Sequence, residues 1–183
     1  MKKNLDARFG LMTALVLGAA AMRLVPHIPN FTPVAALALF GGARFEKKFW
    51  AFALPLTAML LSDALLELFT GRGFHSGMPV VYASFAAIVG IGLWLHHHRG
   101  VVNTGSAALA ASLLFFITTN FSTWLTDGMY PRTAAGLLAC YVAAIPFFGN
   151  ALAGDLFYVT VMFGAFAFAE KRYPAFAPAS VHA

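Results

Sequence analysis

Charge is what this sequence has least of. Only 10% of its 183 residues are Asp, Glu, Lys or Arg, against roughly a quarter in an ordinary soluble domain. Cysteine is nearly absent as well: Cys140 is the single thiol, so no intrachain disulfide can form and the redox compartment leaves no trace. The signatures HExxH and GxSxG, a phosphate-binding glycine loop and a paired-cysteine zinc pattern are all missing. With no nucleotide loop of its own, active transport by this chain would draw energy from a partner or a gradient. No stretch is polar enough to form a separate soluble catalytic domain.

Apolar length is what the chain has instead. Sixty per cent of it is hydrophobic and the mean hydropathy is +0.76. A soluble fold cannot hide that much apolar surface, whereas about six crossings of ~20 residues each nearly exhaust the chain. The expected fold is therefore all-α and integral to a membrane, a six-helix transmembrane bundle forming one domain over residues 1–173. The Pro-Ala-rich residues 174–183 read as a disordered tail.

The apolar runs predict spans at about 9–25, 31–43, 49–69, 80–95 and 107–125. The second is short for a bilayer. The last apolar region, 134–169, is too long for one span and short for two, and carries Pro146 and Gly149-Asn150 in its middle. It reads as a proline-broken, partly inserted segment followed by a sixth span over 150–169.

The formal charge of +5 does not indicate nucleic acid, because the basic residues sit between apolar runs and form no patch. They read as topology signals. With both termini cytoplasmic, Lys2, Lys3, Arg8, Arg44, Lys47, Lys48, Arg99, Lys171 and Arg172 lie inside and Arg23, Arg72 and Arg132 outside, a positive-inside bias of nine to three. The basic start resembles a signal peptide, with small residues at Ala19-Ala20-Ala21. Arg23 and Pro26 lead straight into further spans, so cleavage is not expected. Placement in a bacterial cytoplasmic membrane, in contact with lipid, follows.

Several polar residues in the apolar runs are candidates for chemistry. Asp63 and Glu67 share a face of the third helix, and a carboxylate facing lipid costs several kcal/mol, so both should turn inward or toward the outer mouth. Asp155, after Gly154, is placed to satisfy backbone groups freed by the Pro146 break. The first outer connection packs Arg23, Pro26, His27, Pro29, Asn30 and Pro33 into a rigid, donor-rich stretch. Thr118 to Trp124 set hydroxyls, an amide and an indole in the outer half of the fifth span, as a solute lining would; the same residues serve equally as glue between helices or as interface aromatics. His96-His97-His98 beside Arg99 reads as a wet helix end, since adjacent helical residues diverge. Gly10, Ala14 and Gly18 form a small-residue stripe fit for a neighbouring helix or a partner subunit.

The strings RLVPHIPNFTPVAALALFGGARF (23–45), PLTAMLLSDALLELF (55–69), FFITTNFSTWL (115–125) and GLLACYVAAIPFFGNALAGDLFY (136–158) resemble a bacterial membrane family known only as candidate transport proteins. Length, span number, the proline in the last helix and the stripe in the first are also similar to the substrate-binding S-components of energy-coupling factor (ECF) vitamin transporters. The order His27, Asp63, Tyr82 resembles the ligand-surrounding set of the solitary cobalamin S-component. That protein binds cobalt through a cysteine before its tyrosine, and here His75-Ser76-Gly77-Met78-Pro79-Val80-Val81-Tyr82 has none.

The resemblance implies a non-enzymatic membrane subunit that captures a vitamin-like micronutrient, cobalamin being the nearest example, in an outward pocket. His27, Asn30, Asp63, Tyr82, Asn120 and Trp124 are the expected pocket residues. No resident cofactor or protein metal site is expected; His27, His75 or Met78 would serve only as ligands to the cobalt of a bound corrinoid. An ECF-type transmembrane coupling subunit with its ATPases is the implied partner. Two other readings fit the same residues: an intramembrane enzyme using Asp63 and Glu67, and an assembly subunit docking through the Gly10 stripe.

Overall fold

A computed structural model describes residues 2–176. They form six helices, α1 (Lys2–Met22), α2 (Val34–Arg44), α3 (Lys48–Thr70), α4 (Met78–His97), α5 (Val101–Thr126) and α6 (Ala134–Arg172), closed by a short 3-10 turn at Pro174–Phe176. Four of these, α3 to α6, are long and apolar enough to cross a membrane. The 3-10 turn folds back onto α1, and residues 177–183 of the expected tail lie outside the described residues.

Local chemistry sets the ends. Gly71 closes α3 in the left-handed region at φ 65°, its N–H returning to the carbonyl of Glu67; a residue bearing Cβ is strained there, so glycine makes the stop. Thr133 starts α6 by accepting the N–H of Gly136 on its hydroxyl at 3.2 Å.

The shortest helix is at the centre. Every residue of α2 from Ala35 to Ala43 is buried, because nothing in VAALALFGGA is polar enough to demand water and a helix apolar on all sides must be covered on all sides. All five other helices pack against it. The tightest crossing is with α4, where a Cβ on Gly42 would stand 2.1 Å from the carbonyl oxygen of Val89 and 2.8 Å from Cα of Gly92. Only paired glycines let the two backbones approach so closely.

Helices consecutive in the chain alternate in direction, so α2, α4 and α6 all end on the same side. Arg8 meets Glu170 at 2.9 Å, joining the start of α1 to the end of α6, and His96 Nδ1 lies 2.9 Å from the carbonyl of Ala43, joining the ends of α4 and α2. Arg44 sits over the rings of Phe163 and Phe166 at 5.0 and 5.1 Å. Arg8, Arg44, Lys47, Lys48, Arg99, Lys171 and Arg172 thus gather at one end, called here the basic end. Arg23, Asp63 and Tyr82 join α1, α3 and α4 toward the other end.

The surface of the bundle is apolar as well as its core. Its flanks expose Leu60, Phe69, Leu138, Ile145 and Phe168, while Asp63 and Asp155 are buried. That distribution suits a hydrocarbon surround.

Two expectations are corrected. The break at Pro146 does not divide the last region: α6 runs unbroken for 39 residues. Proline removes one helical donor, and neighbouring anchors hold the chain in register, Phe148 against Phe116 at 4.7 Å and Asn150 Nδ2 donating to the Pro29 carbonyl at 3.2 Å. The fifth helix begins at Val101, earlier than 107, since Asn103 and Thr104 bond back to the carbonyls of His98 and Gly100 and start the helix with polar residues.

Candidate functional site

With 11 residues at about 1.5 Å each, α2 reaches roughly half the ~30 Å of a hydrocarbon core. Its basic-end half is filled. The column beyond its N-terminus is left to the first loop and to whatever lies beneath it.

That N-terminus has no cap of its own, because the residue in the cap position is Pro33. The cap comes from α6. Asp155 Oδ1 accepts the N–H of Ala35 at 3.2 Å, and its Oδ2 lies 2.7 Å from the Ser112 hydroxyl of α5. Ser112 Oγ also lies 3.0 Å from the Ala108 carbonyl, and its single proton goes to the carboxylate, the shorter and charge-assisted bond. One buried carboxylate thereby ties α2, α5 and α6 together, and the positive end of the α2 dipole offsets its charge. Gly154 eases the arrangement: a Cβ there would stand 3.0 Å from the backbone nitrogen of Thr32, so a larger residue would press on the first loop where it lies on α6.

Above this floor is a cavity of about 250 Å³ between the first loop, α5 and α6. Asn30, Thr32, Ser112, Thr119, Asn120 and Asp155 supply its polar lining, and Phe115, Phe116, Phe147 and Phe148 its aromatic walls. Asn120 gives its amide N–H to the Phe116 carbonyl at 2.8 Å and Thr119 its hydroxyl proton to Phe115 at 2.7 Å, so each still has an oxygen able to accept. Among the described residues, Asp155 is the only ionisable group in the lining. The cavity is thus rich in acceptors, carries one anion, and has flat apolar walls.

The six residues expected to share a pocket divide between places. Asn30 and Asn120 line the cavity. Asp63 and Tyr82 lie outside it, in a closed cluster: Tyr82 donates its phenol to Asp63 Oδ2 at 2.7 Å, Arg23 Nη2 meets Oδ1 at 2.6 Å, and Arg23 Nη1 reaches Ser62 Oγ. This cluster pins the end of α1 to α3 and α4. His27 is exposed, with Nδ1 2.6 Å from the Val25 carbonyl. Trp124 is half-buried and donates Nε1–H to the Pro131 carbonyl at 2.9 Å, fixing the turn between α5 and α6.

The other candidates have local roles. Glu67 accepts the N–H groups of Gly73 and Phe74 at 2.8 and 3.1 Å, folding the loop between α3 and α4 onto α3. His75 is exposed and takes the N–H of Gly77 at 3.2 Å, and Met78 opens α4. Among the described residues no three of His, Cys, Asp or Glu are placed to hold a metal ion. Gly10, Ala14 and Gly18 all face outward, with nothing within 4 Å of a Cβ built on either glycine.

The cavity and the Asp63 cluster both fall within a stretch, residues 3–176, that matches one family's sequence profile. The chain belongs to a family of unknown function, DUF6580. No curated protein and no solved structure matches it. For this family member the chemistry of the cavity is therefore the guide to function. Ser112 and Asp155, which hold its floor, were only half legible beforehand. Asp155 shows as a carboxylate in an apolar run, whereas Ser112 sits in LAASLLFF with no signal to separate it from any other small helical residue.

Proposed function

We propose that the protein is a six-helix subunit of a bacterial cytoplasmic membrane, both termini inside, that captures a small organic solute from the outer side and passes it inward. One observation carries this reading: a cavity of about 250 Å³ over the end of a half-length central helix, lined by acceptors and aromatic rings. Irregular backbone at membrane depth is tolerated where it borders such a cavity, and half-helix ends recur at solute sites in transporters. The gathering of basic residues at the other end supports an outward-facing mouth.

The lining favours a ligand with hydrogen-bond donors, or a positive charge toward Asp155, joined to a flat ring that fits between the phenylalanines. A vitamin-like micronutrient of one or two rings has that character, which keeps the likeness to ECF S-components in play. Cobalamin, a macrocycle with a nucleotide arm, exceeds this volume and would enter only if the Arg23–Pro33 loop lifted. A coupling subunit with ATPases would supply the energy.

The test is a binding screen on protein purified in detergent, by native mass spectrometry for co-purified ligand and by thermal shift against a vitamin panel that includes cobalamin. A ring-bearing small ligand should bind, and Phe116→Ala and Asn120→Ala should each weaken it about tenfold. A ligand whose affinity ignores both substitutions would remove the cavity from the function.

A further inference from the structure

A second cavity, about 270 Å³, lies at the basic end between the start of α1 and the turn from α2 to α3. Arg8, Phe9, Phe45, Glu46, Lys47 and Trp50 are among its walls. Arg8 is only 5% exposed. Its Nη2 meets Glu170 at 2.9 Å and its guanidinium lies 5.4 Å from the Phe166 ring, yet among the described residues Nε has no hydrogen-bond partner. Among the described residues one carboxylate thus serves a group with five donors.

Lys47, exposed, stands at the start of α3, whose first turn has neither a side-chain cap nor an acidic residue. Of the charged residues in the cavity wall, Arg8 and Lys47 are basic and Glu46 is acidic. Beside it, Phe49 and Trp50 are 69% and 38% exposed and stack edge-on at 5.0 Å, with Phe9 against Trp50 at 5.4 Å. A buried arginine with spare donors, an exposed lysine and an exposed aromatic shelf at a membrane boundary match a phosphodiester with apolar tails.

We propose that this cavity binds the headgroup of an anionic phospholipid of the inner leaflet, its phosphate on Arg8 and Lys47 and its acyl chains along Phe49 and Trp50. The inference rests on the membrane placement proposed above but not on the solute cavity, and its test reads no transport.

The full chain with Trp94→Phe and Trp124→Phe keeps Trp50 as its single tryptophan. It is reconstituted into phosphatidylcholine vesicles containing phosphatidylglycerol, with bromine on the chains of one lipid or the other. Brominated phosphatidylglycerol should quench Trp50 well beyond its mole fraction, and Lys47→Gln or Arg8→Gln should lower the apparent affinity about fivefold. Lys47 is exposed, so its variant stays informative if the Arg8 variant fails to fold. A companion chain keeping only Trp94, also at the basic end and 49% exposed, should show no preference. Equal quenching by both lipids, equal preference at Trp94 and Trp50, or an unchanged Lys47→Gln titration overturns the proposal. So does release of the lipid by millimolar glycerol phosphate, which would make the site one for soluble phosphate.

Discussion

The Asp63 cluster offers the sharpest test of how the end opposite the basic end is held. Asp63 is 2% exposed and its carboxylate takes Arg23 on one oxygen and Tyr82 on the other. Asp63→Asn keeps the shape and one acceptor for Tyr82 but strands the Arg23 guanidinium, whose side chain is 11% exposed. Removing one member of a buried pair costs about 3 kcal/mol, because the remaining charge stays desolvated and unpaired. For a domain of this size that corresponds to a fall in melting temperature of roughly 6–12 °C. Arg23→Gln with Asp63→Asn removes both charges and should recover more than half of the loss. Cys140, the sole cysteine and 3% exposed, reports unfolding through a thiol-reactive dye in detergent. A single variant that melts within about 2 °C of the parent, or a double variant no better than the single, would refute the argument. Solute binding should survive in Asp63→Asn; its loss at an unchanged melting temperature would bring Asp63 back into the binding site.

Other outcomes follow from packing and capping. Gly42→Ala drives a methyl into the backbone of α4 and should destabilise by about 3 kcal/mol or more, whereas Gly90→Ala, with nothing within 4 Å, should melt like the parent. Asp155→Ala removes the cap of α2 and should cost about 1–2 kcal/mol; hydrogen exchange at Ala35 and Ala36 should quicken, with Asp155→Asn intermediate. Glu67→Ala should speed exchange at Gly73 and Phe74 without shifting the melting temperature, while a collapse of the whole bundle would show that Glu67 does more than hold its loop.

The number of apolar helices was legible because hydropathy along the chain decides it, and the second apolar run, expected over 31–43, appears as Val34–Arg44. Its start was displaced by Pro33 and by Asn30, which turns the chain at φ 64°. Pairings were less legible. Asp63 finds Arg23 forty positions away and Asp155 finds the α2 backbone 120 positions away, and a short-range pattern carries no record of either. A carboxylate among leucines needs a reason, and for Asp63 the guanidinium of Arg23, at the end of another helix, supplies one. The continuity through Pro146 was hidden because its support comes from Phe116 and the first loop, not from the segment itself.

The half-length of α2 has a consequence for biogenesis. Insertion machinery accepts stretches of ~20 apolar residues as they emerge, and 11 residues preceded by three prolines do not qualify. Under the proposed membrane placement, α2 would wait at the headgroup boundary until α3 to α6 had formed the walls that cover it. Chain order and assembly order then differ: the second helix made is the last one seated, and a ribosome stalled before α6 would leave it without Asp155 to hold its end.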